Sequence, residues 1–443
     1  MAFTADKVRQ GVQKDTGYSI DNSCRVTADA GAKLYRTFGT PTNQKKWTWS
    51  FWMKVSKTGG SWRGLGEAYN TNDWAALKPG GEMYWHAASG ANFTTSMLFR
   101  DPSAWYHIII AFDSTQGTAS DRLNLYVNGV LITDFSSITY PSLNETNTWN
   151  STARHSFLSI PSDPSSYNTF NGYGAEMYWI DGTAKNQYDF GEFDADYNHW
   201  KPIAYAGSYG NNGCYLDFSN SGSLGTDASS NTNNWTVNNL QPTDQMLDSP
   251  TNNFCTLNPL IPDTTSRLTF SEGNLKAVEV DNGVNYPTPR SSIGVTSGKW
   301  YSEFIFTTST VYYGVAVVND SNDAGLYPHA TAGGYGYFKD GLKKSLGTST
   351  AYGDTFTTGD VIGAALDMDN GNLFFYKNGV VQNSGTAAFT GLSGNMRFAI
   401  YLDAATGLAN FGQDSSFAGN KTAQGNQDSN SIGDFYYTPL LTS

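Results

Sequence analysis

The sequence predicts an all-β protein: two antiparallel β-sandwich (jelly-roll) domains joined by an irregular connector, with room for a short N-terminal helix. Three observations carry this. Apolar and aromatic residues alternate with period two through much of the chain, the pattern of half-buried strands. Clusters of Gly, Asn, Ser and Asp separate those runs at short intervals, as they do in sandwiches. A length of 443 residues exceeds one ordinary domain, so at least two cores are required.

The elements follow in order. Only TADKVRQGVQK near the start reads as a helix, with Thr4 as its N-cap, inside a docking segment at 1–17. A first sandwich spans 18–185. In KWTWSFWMKV (46–55), Trp47, Trp49, Phe51, Met53 and Val55 alternate with polar or surface-tolerant partners, which predicts a half-buried strand. WYHIIIAFD (105–113) is apolar on both faces and reads as a central strand under a second layer. RLNLYVNGVLI (122–132) is two strands about Asn128-Gly129, a dipeptide that accepts the positive φ angles of a tight hairpin. AEMYWIDG (175–182) closes the run. Residues 186–262 are turn-rich and interrupted by prolines, and they predict a connector lying over the surface. Alternation returns for a second sandwich at 263–413, in KWYSEFIF, VYYGVAVV and GDVIGAALDMDNGNLFFYKNGVV, with a second hairpin at Asn378-Gly379. MRFAIYLDA and GLANFGQ supply its last strands, and 414–443 is a tail. The echo of YVNGV (126–130) in YKNGV (376–380) places a related hairpin in each sandwich.

Composition removes several classes of function. Charged residues are 15%, against roughly 25% in an average soluble protein, and the net charge is −12. Binding nucleic acid through its phosphates needs the opposite sign. No apolar run reaches the length of a membrane span, and the N-terminus lacks a hydrophobic signal-peptide core. Cys24, Cys214 and Cys255 are an odd set without CxxC spacing, so reduced thiols are expected; a Cys214–Cys255 pair is left open.

The residues also resemble known families. WYHIIIAFD, LNLYVNGV and GAEMYWIDG together look like a laminin-G/concanavalin-A-like jelly roll. GKWYSEF, VYYGVA, GDVIGAALDMDNGNLFFYKNGV and GLANFGQ look like a SPRY domain. The stretches at 19–54 (SIDNSCRVTADAGAKLYRTFGTPTNQKKWTWSFWMK), 190–219 (FGEFDADYNHWKPIAYAGSYGNNGCYLDFS) and 248–260 (DSPTNNFCTLNPL) resemble virion proteins of tailed bacteriophages. That resemblance implies a fibre recognising a host surface glycan or protein, made in the host cytoplasm and residing in the virion. It implies contacts with other virion proteins and a homo-oligomer, with a trimer favoured, though no heptad specifies three. A capsid decoration or head fibre with mainly structural contacts is the alternative.

Candidate chemistry is sparse. Glu192-Phe-Asp194-Ala-Asp196 resembles the alternating carboxylates of some jelly-roll glycosidases, which would make the protein a polysaccharide-degrading enzyme. Retaining catalysis needs two carboxyls about 5–5.5 Å apart. The last acid here is Asp, and the segment lies in turn-rich sequence, so a solvated loop and a non-enzyme are expected. Asp367-Met-Asp369-Asn-Gly371 has Gly371 at the fifth position and Asn378 at the twelfth, which fails an EF-hand and reads as a hairpin. No cofactor is implied; calcium at a sheet edge stays open, with no residue to mark it. GVTSGKW (294–300) lacks the spacing of a phosphate loop. His107, on an apolar strand, reads as a satisfied core histidine.

What remains is aromatic. Trp62, Trp74, Tyr84, Trp85 and His86 fall in Gly/Asn-rich sequence with Asn72, Asp73 and Glu82 nearby. Exposed rings there would stack on sugars, while the alternative is packing into the core or against a neighbouring subunit. A second set, Tyr327, His329, Tyr335 and Tyr337, lies where the SPRY resemblance implies ligand binding.

Overall fold

The computed structural model describes residues 17–27, 31–57, 60–68, 73–160, 169–260, 267–280, 288–320 and 333–439. The chain divides into two compact units, one ending at Asn253 and the other beginning at Phe254. The N-terminal helix lies outside the described residues, as do Asn72, Tyr327 and His329.

The first unit packs two eight-stranded antiparallel sheets. One runs in the order Val130–Leu131, Leu123–Val127, Trp105–Asp113, Lys46–Val55, Gly172–Asp181, Ser23–Val26 and Gln245–Met246, with Cys214–Leu216 also on Gly172–Asp181. The other runs Phe135–Thr139, Asn92–Leu98, Glu82–His86, Asp73–Leu77, Arg63–Ala68, Arg154–Phe157, Lys33–Thr37 and Thr236–Asn238. Trp47, Trp49, Trp85, Trp149 and Trp179 fill the space between them, with Phe51, Phe93, Phe112 and Phe157. Gly66 allows this packing, because a Cβ there would lie 2.6 Å from the Trp49 ring.

Two expectations change here. Lys46–Val55 is buried on both faces past its first residue, not half-buried. The expected connector explains why: residues 187–213 fold back over the outer face of the first sheet. Phe190 joins Ile109, Tyr178 and Ile180 in a small second core. Trp200 reaches His107, whose ring lies flat on Trp52 at 4.5 Å. Residues 214–216 and 245–246 then extend the first sheet, and 236–238 the second. Up to residue 253 the connector is thus part of the sandwich.

A buried ion pair closes the unit. Lys54 Nζ lies 2.7 Å from Asp248, and both side chains are 0% exposed. Trp105 Nε1 donates to the same carboxylate at 3.0 Å, and Lys54 also donates to Asn253. Thr251 exchanges hydrogen bonds with the Ile20 backbone. The sequence stretches at 19–54 and 248–260 therefore meet in one clasp, up to Asn253.

The second unit is built on two long strands that run side by side, Lys299–Asn319 and Met396–Asn410. The sequence pattern divides each into two strands; irregularities in register at 306–308 and 309–312 bend the first without ending it. Residues 299–305 pair with Val361–Asp367, which carries Asn372–Lys377 and Val380–Val381. Residues 314–318 pair with Gly334–Phe338, followed by Leu342–Ser345 and Thr348–Ala351. Phe304, Phe306, Val315, Val317, Tyr337, Phe375 and Phe398 are buried.

The two Asn-Gly hairpins are built alike. Asn128 and Asn378 have φ of 46° and 50°, and Gly129 and Gly379 of 76° and 80°. Each Asn side chain accepts from a neighbouring strand's backbone N–H, that of His107 at 2.7 Å and of Val361 at 2.9 Å. Each glycine then carries an aromatic ring from the segment after its sandwich, Trp200 on Gly129 and Tyr437 on Gly379. All three cysteines are buried and free.

Candidate functional site

The pleat of the second sheet sorts the candidate aromatics. Leu34, Phe157, Ala75, Trp85 and Phe93 share one face and belong to the core. Their neighbours along each strand point the other way. Tyr35, Ser156, Glu67, Trp74, His86 and Asn92 are paired in register across six adjacent strands of that outer face. Tyr84 and Thr94 form part of the next row.

Four of the five residues singled out in this region come together there. Trp74 lies 5.1 Å from Trp62, 4.8 Å from Tyr84 and 6.5 Å from His86, and Tyr84 stacks along the strand on His86 at 6.0 Å. Trp62 and Trp74 meet edge to face at 79°, so two ring planes are offered at right angles. All four rings are half-buried. The fifth, Trp85, does not belong: it is fully buried among Trp47, Phe93 and Trp149. Strand alternation puts Trp85 opposite its neighbours Tyr84 and His86, so it cannot touch a ligand on the outer face.

Lys78 completes the cluster. Its ammonium sits 5.5 Å from the Trp62 ring and 5.1 Å from Tyr84, and it donates to Thr94 Oγ1 at 3.1 Å. Arg154 lies over Tyr35 further along the sheet. Burial pushes the Tyr84 hydroxyl above its usual range, so it stays a neutral hydrogen-bonding group. Half-buried rings flanked by hydroxyl, amide and carboxylate groups suit a ligand that is apolar on one side and polar at its rim. Asp73, suggested as a polar partner, instead holds the backbone N–H groups of Ala88 and Thr148.

The second aromatic set is only partly described. Tyr335 lies on the strand Gly334–Phe338, its ring 5.2 Å from Phe389, with Lys343 over Phe389 at 5.4 Å. Tyr337 is a core residue, packed on Phe375 and Phe356.

The other motifs resolve structurally. Gly191–Phe193 and Trp200–Pro202 form a hairpin in which Glu192 faces Lys201. Lys201 pairs with Glu192 at 3.1 Å and with Asp194 at 3.4 Å, and Asp194 also accepts from the Asp196 and Tyr197 backbone. Asp367 caps the turn before Asn372–Lys377. His107 Nδ1 accepts from Trp200 at 2.9 Å and its Nε2 meets Ser50 Oγ at 2.8 Å, while burial lowers its pKa to about 3. Among the described residues no group of three or more His, Cys, Asp or Glu could hold a metal ion.

Comparison with known families matches residues 27–183 to the concanavalin A-like lectin/glucanases superfamily and residues 298–414 to the SPRY domain. The fold is a concanavalin A-like sandwich followed by a SPRY sandwich. Ran-binding protein 10 of Danio rerio is 31% identical over 162 residues, covering 34% of this chain and 26% of that protein. Ran-binding protein 9 of Homo sapiens is 36% identical over 106 residues, 23% of this chain and 14% of that protein. The chain thus spans about a quarter or less of these relatives. Of solved structures, the SPRY domain of human HERC1 is 18% identical over 32% of this chain and 91% of its own, with a TM-score of 0.27. The TRIM65 PSpry domain is 12% identical, covering 35% and 91%, with a TM-score of 0.28. The lectin-like and SPRY matches point to a module for carbohydrate binding or protein interaction.

Proposed function

We propose that the protein is a non-enzymatic recognition protein of a tailed-bacteriophage virion, binding a host surface glycan on the outer face of its concanavalin A-like domain. The observation that carries glycan binding is the cluster of Trp62, Trp74, Tyr84 and His86 beside a polar row that crosses the sheet. Ring faces stack on the C–H faces of pyranoses, and the hydroxyl, amide and imidazole groups hydrogen-bond the sugar rim. The virion setting is supported by the sequence resemblance at 19–54, 190–219 and 248–260. Lys201 ion-pairs with Glu192 and Asp194, which supports reading that acidic segment as structural.

The test has two arms. Immunogold electron microscopy with antibody to residues 298–414 should label purified phage particles at the tail or a fibre tip; label over the head would favour decoration. On an array of bacterial surface polysaccharides, the full chain should bind, and Trp62→Ala with Trp74→Ala should weaken binding at least tenfold while circular dichroism stays unchanged. Equal binding by that variant would overturn the site. The SPRY match favours a second reading, in which residues 298–414 hold a protein partner; binding that survives the Trp changes and is lost with Tyr335→Ala would support it.

A further inference from the structure

The clasp that closes the first unit brings together three groups able to react with one another. On the strand Lys46–Val55, Lys54 lies directly opposite Trp105 on one neighbouring strand and Tyr173 on the other, so the three side chains form a row on one face of the sheet. Tyr173 is fully buried, and the Lys54 ammonium lies 5.8 Å from its ring centre. Residues 248–253 bring a carboxylate and an amide to that ammonium. Nζ donates to Asp248 Oδ2 at 2.7 Å and to Asn253 Oδ1 at 2.8 Å.

Both partners of Lys54 are held in place from behind. Trp105 Nε1 donates to the second oxygen of Asp248 at 3.0 Å. Asn253 Nδ2 donates to the Ser103 carbonyl at 2.8 Å, which keeps the carbonyl end of the amide toward Lys54. The amide carbon lies one carbonyl bond, about 1.23 Å, beyond Oδ1. Nζ is thus no more than about 4 Å from Asn253 Cγ, close to the roughly 3–3.5 Å of a reacting pair. Lys54 and Asp248 are 0% exposed, whereas Asn253 and Ser103 are half-buried, so the amide is the side of the clasp that meets solvent.

We propose that this clasp is self-reactive: Lys54 and Asn253 condense to an intramolecular isopeptide bond, with Asp248 carrying the protons. A proton passing from Nζ to Oδ2 along their hydrogen bond leaves an amine beside a carboxylic acid, and it removes two charges from a site closed to solvent. The amine lone pair then forms the Nζ–Cγ bond while the carbonyl electrons move onto Oδ1. Asp248 hands its proton to Nδ2 and takes one from Nζ. The carbonyl re-forms, the Cγ–Nδ2 bond breaks and ammonia leaves. The lysine's surplus proton stays on Asp248, so no charge is left buried. Asn253 is the acceptor because its neutral amide carbon is open to attack, whereas Asp248 is needed as acid and base. Until it reacts the clasp is the ion pair described above, and freshly folded chain carries that pair. The bond ties the strand Lys46–Val55 to the last residue of the first unit, and it closes the chain between them into a ring that persists when the unit unfolds.

Mass spectrometry of the full chain, folded and incubated until its mass is constant, tests this. The intact mass should settle one ammonia below the sequence value. Trypsin should then leave a branched peptide that joins the segments around Lys54 and Asn253 and is uncut after Lys54. The branched peptide is the deciding product, because an Asn-Gly step closing to a succinimide also loses ammonia. Chain held unfolded in urea for the same time should lack it. Asn253→Ala keeps the Lys54–Asp248 pair, so it should fold, give no branched peptide and be cut after Lys54. Asp248→Asn should slow formation by about 100-fold or more; if a variant fails to fold, the wild-type product alone decides. No branched peptide in the wild type, one joined with loss of water instead of ammonia, or one formed as fast in Asp248→Asn, would overturn the proposal.

Discussion

Replacing Lys54 with Met should destabilise the first unit by about 3–5 kcal/mol, the usual cost of stranding one partner of a buried ion pair. Both side chains of the Lys54–Asp248 pair are 0% exposed at 2.7 Å. Met preserves most of the aliphatic stem, so the loss is electrostatic: Asp248 keeps the Trp105 indole but loses its ammonium. The second change, Asp248→Asn, removes the stranded charge and retains an acceptor for Trp105. The double variant should therefore recover most of the lost stability, and the cycle should show strong coupling. Urea unfolding followed by tryptophan fluorescence isolates this unit, because every tryptophan except Trp300 lies before residue 254. A cost below about 1 kcal/mol, as for a surface bridge, would refute the reasoning. So would a further loss when Asp248→Asn is added.

Two other outcomes follow from the same unit. Gly129→Ala should cost about 1–3 kcal/mol, since φ there is +76° and the new Cβ would lie 2.1 Å from the Trp200 ring. Gly117→Ala, with nothing within 4 Å of its Cβ, is the control and should be near neutral in the same urea titration. Burial holds His107 and His155 at about 3 against an ordinary 6.5. The folded state then binds fewer protons than the unfolded one between those values, so their contribution is complete above pH 6.5 and is lost as pH falls toward 3. Urea stability of the first unit should fall between pH 6.5 and 4 and fall less in His107→Gln; parallel profiles would refute the assignment.

Much of the fold was legible because strand periodicity and Asn-Gly hairpins are local. WYHIIIAFD is apolar on both faces, reads as a central strand, and is buried along its whole length. The two hairpins sit where their positive φ angles require Asn-Gly. The candidate site was half legible. Composition marks a Trp, Tyr and His cluster, but a period of two leaves open which face each residue takes until a strand's register is set. Trp74, Tyr84 and His86 point outward and Trp85 inward, and only pairing with Phe93 on one side and Ala75 on the other decides that.

The sequence by itself determined the fold class, the two sandwiches and the aromatic residues from which the candidate surface was drawn. These depend on the alternation of apolar side chains and on backbone angles that few residues accept, and both act over a handful of positions. Tertiary structure decided where turn-rich segments go. Residues 187–213 and 414–437 carry no strong periodicity of their own, yet each seals the outer face of a sandwich. They do so through single aromatics on a hairpin glycine and through buried groups such as His107 and Glu303. Such contacts join positions far apart in the chain, as when Glu303 meets Tyr436, and burial arises only after both partners are in place.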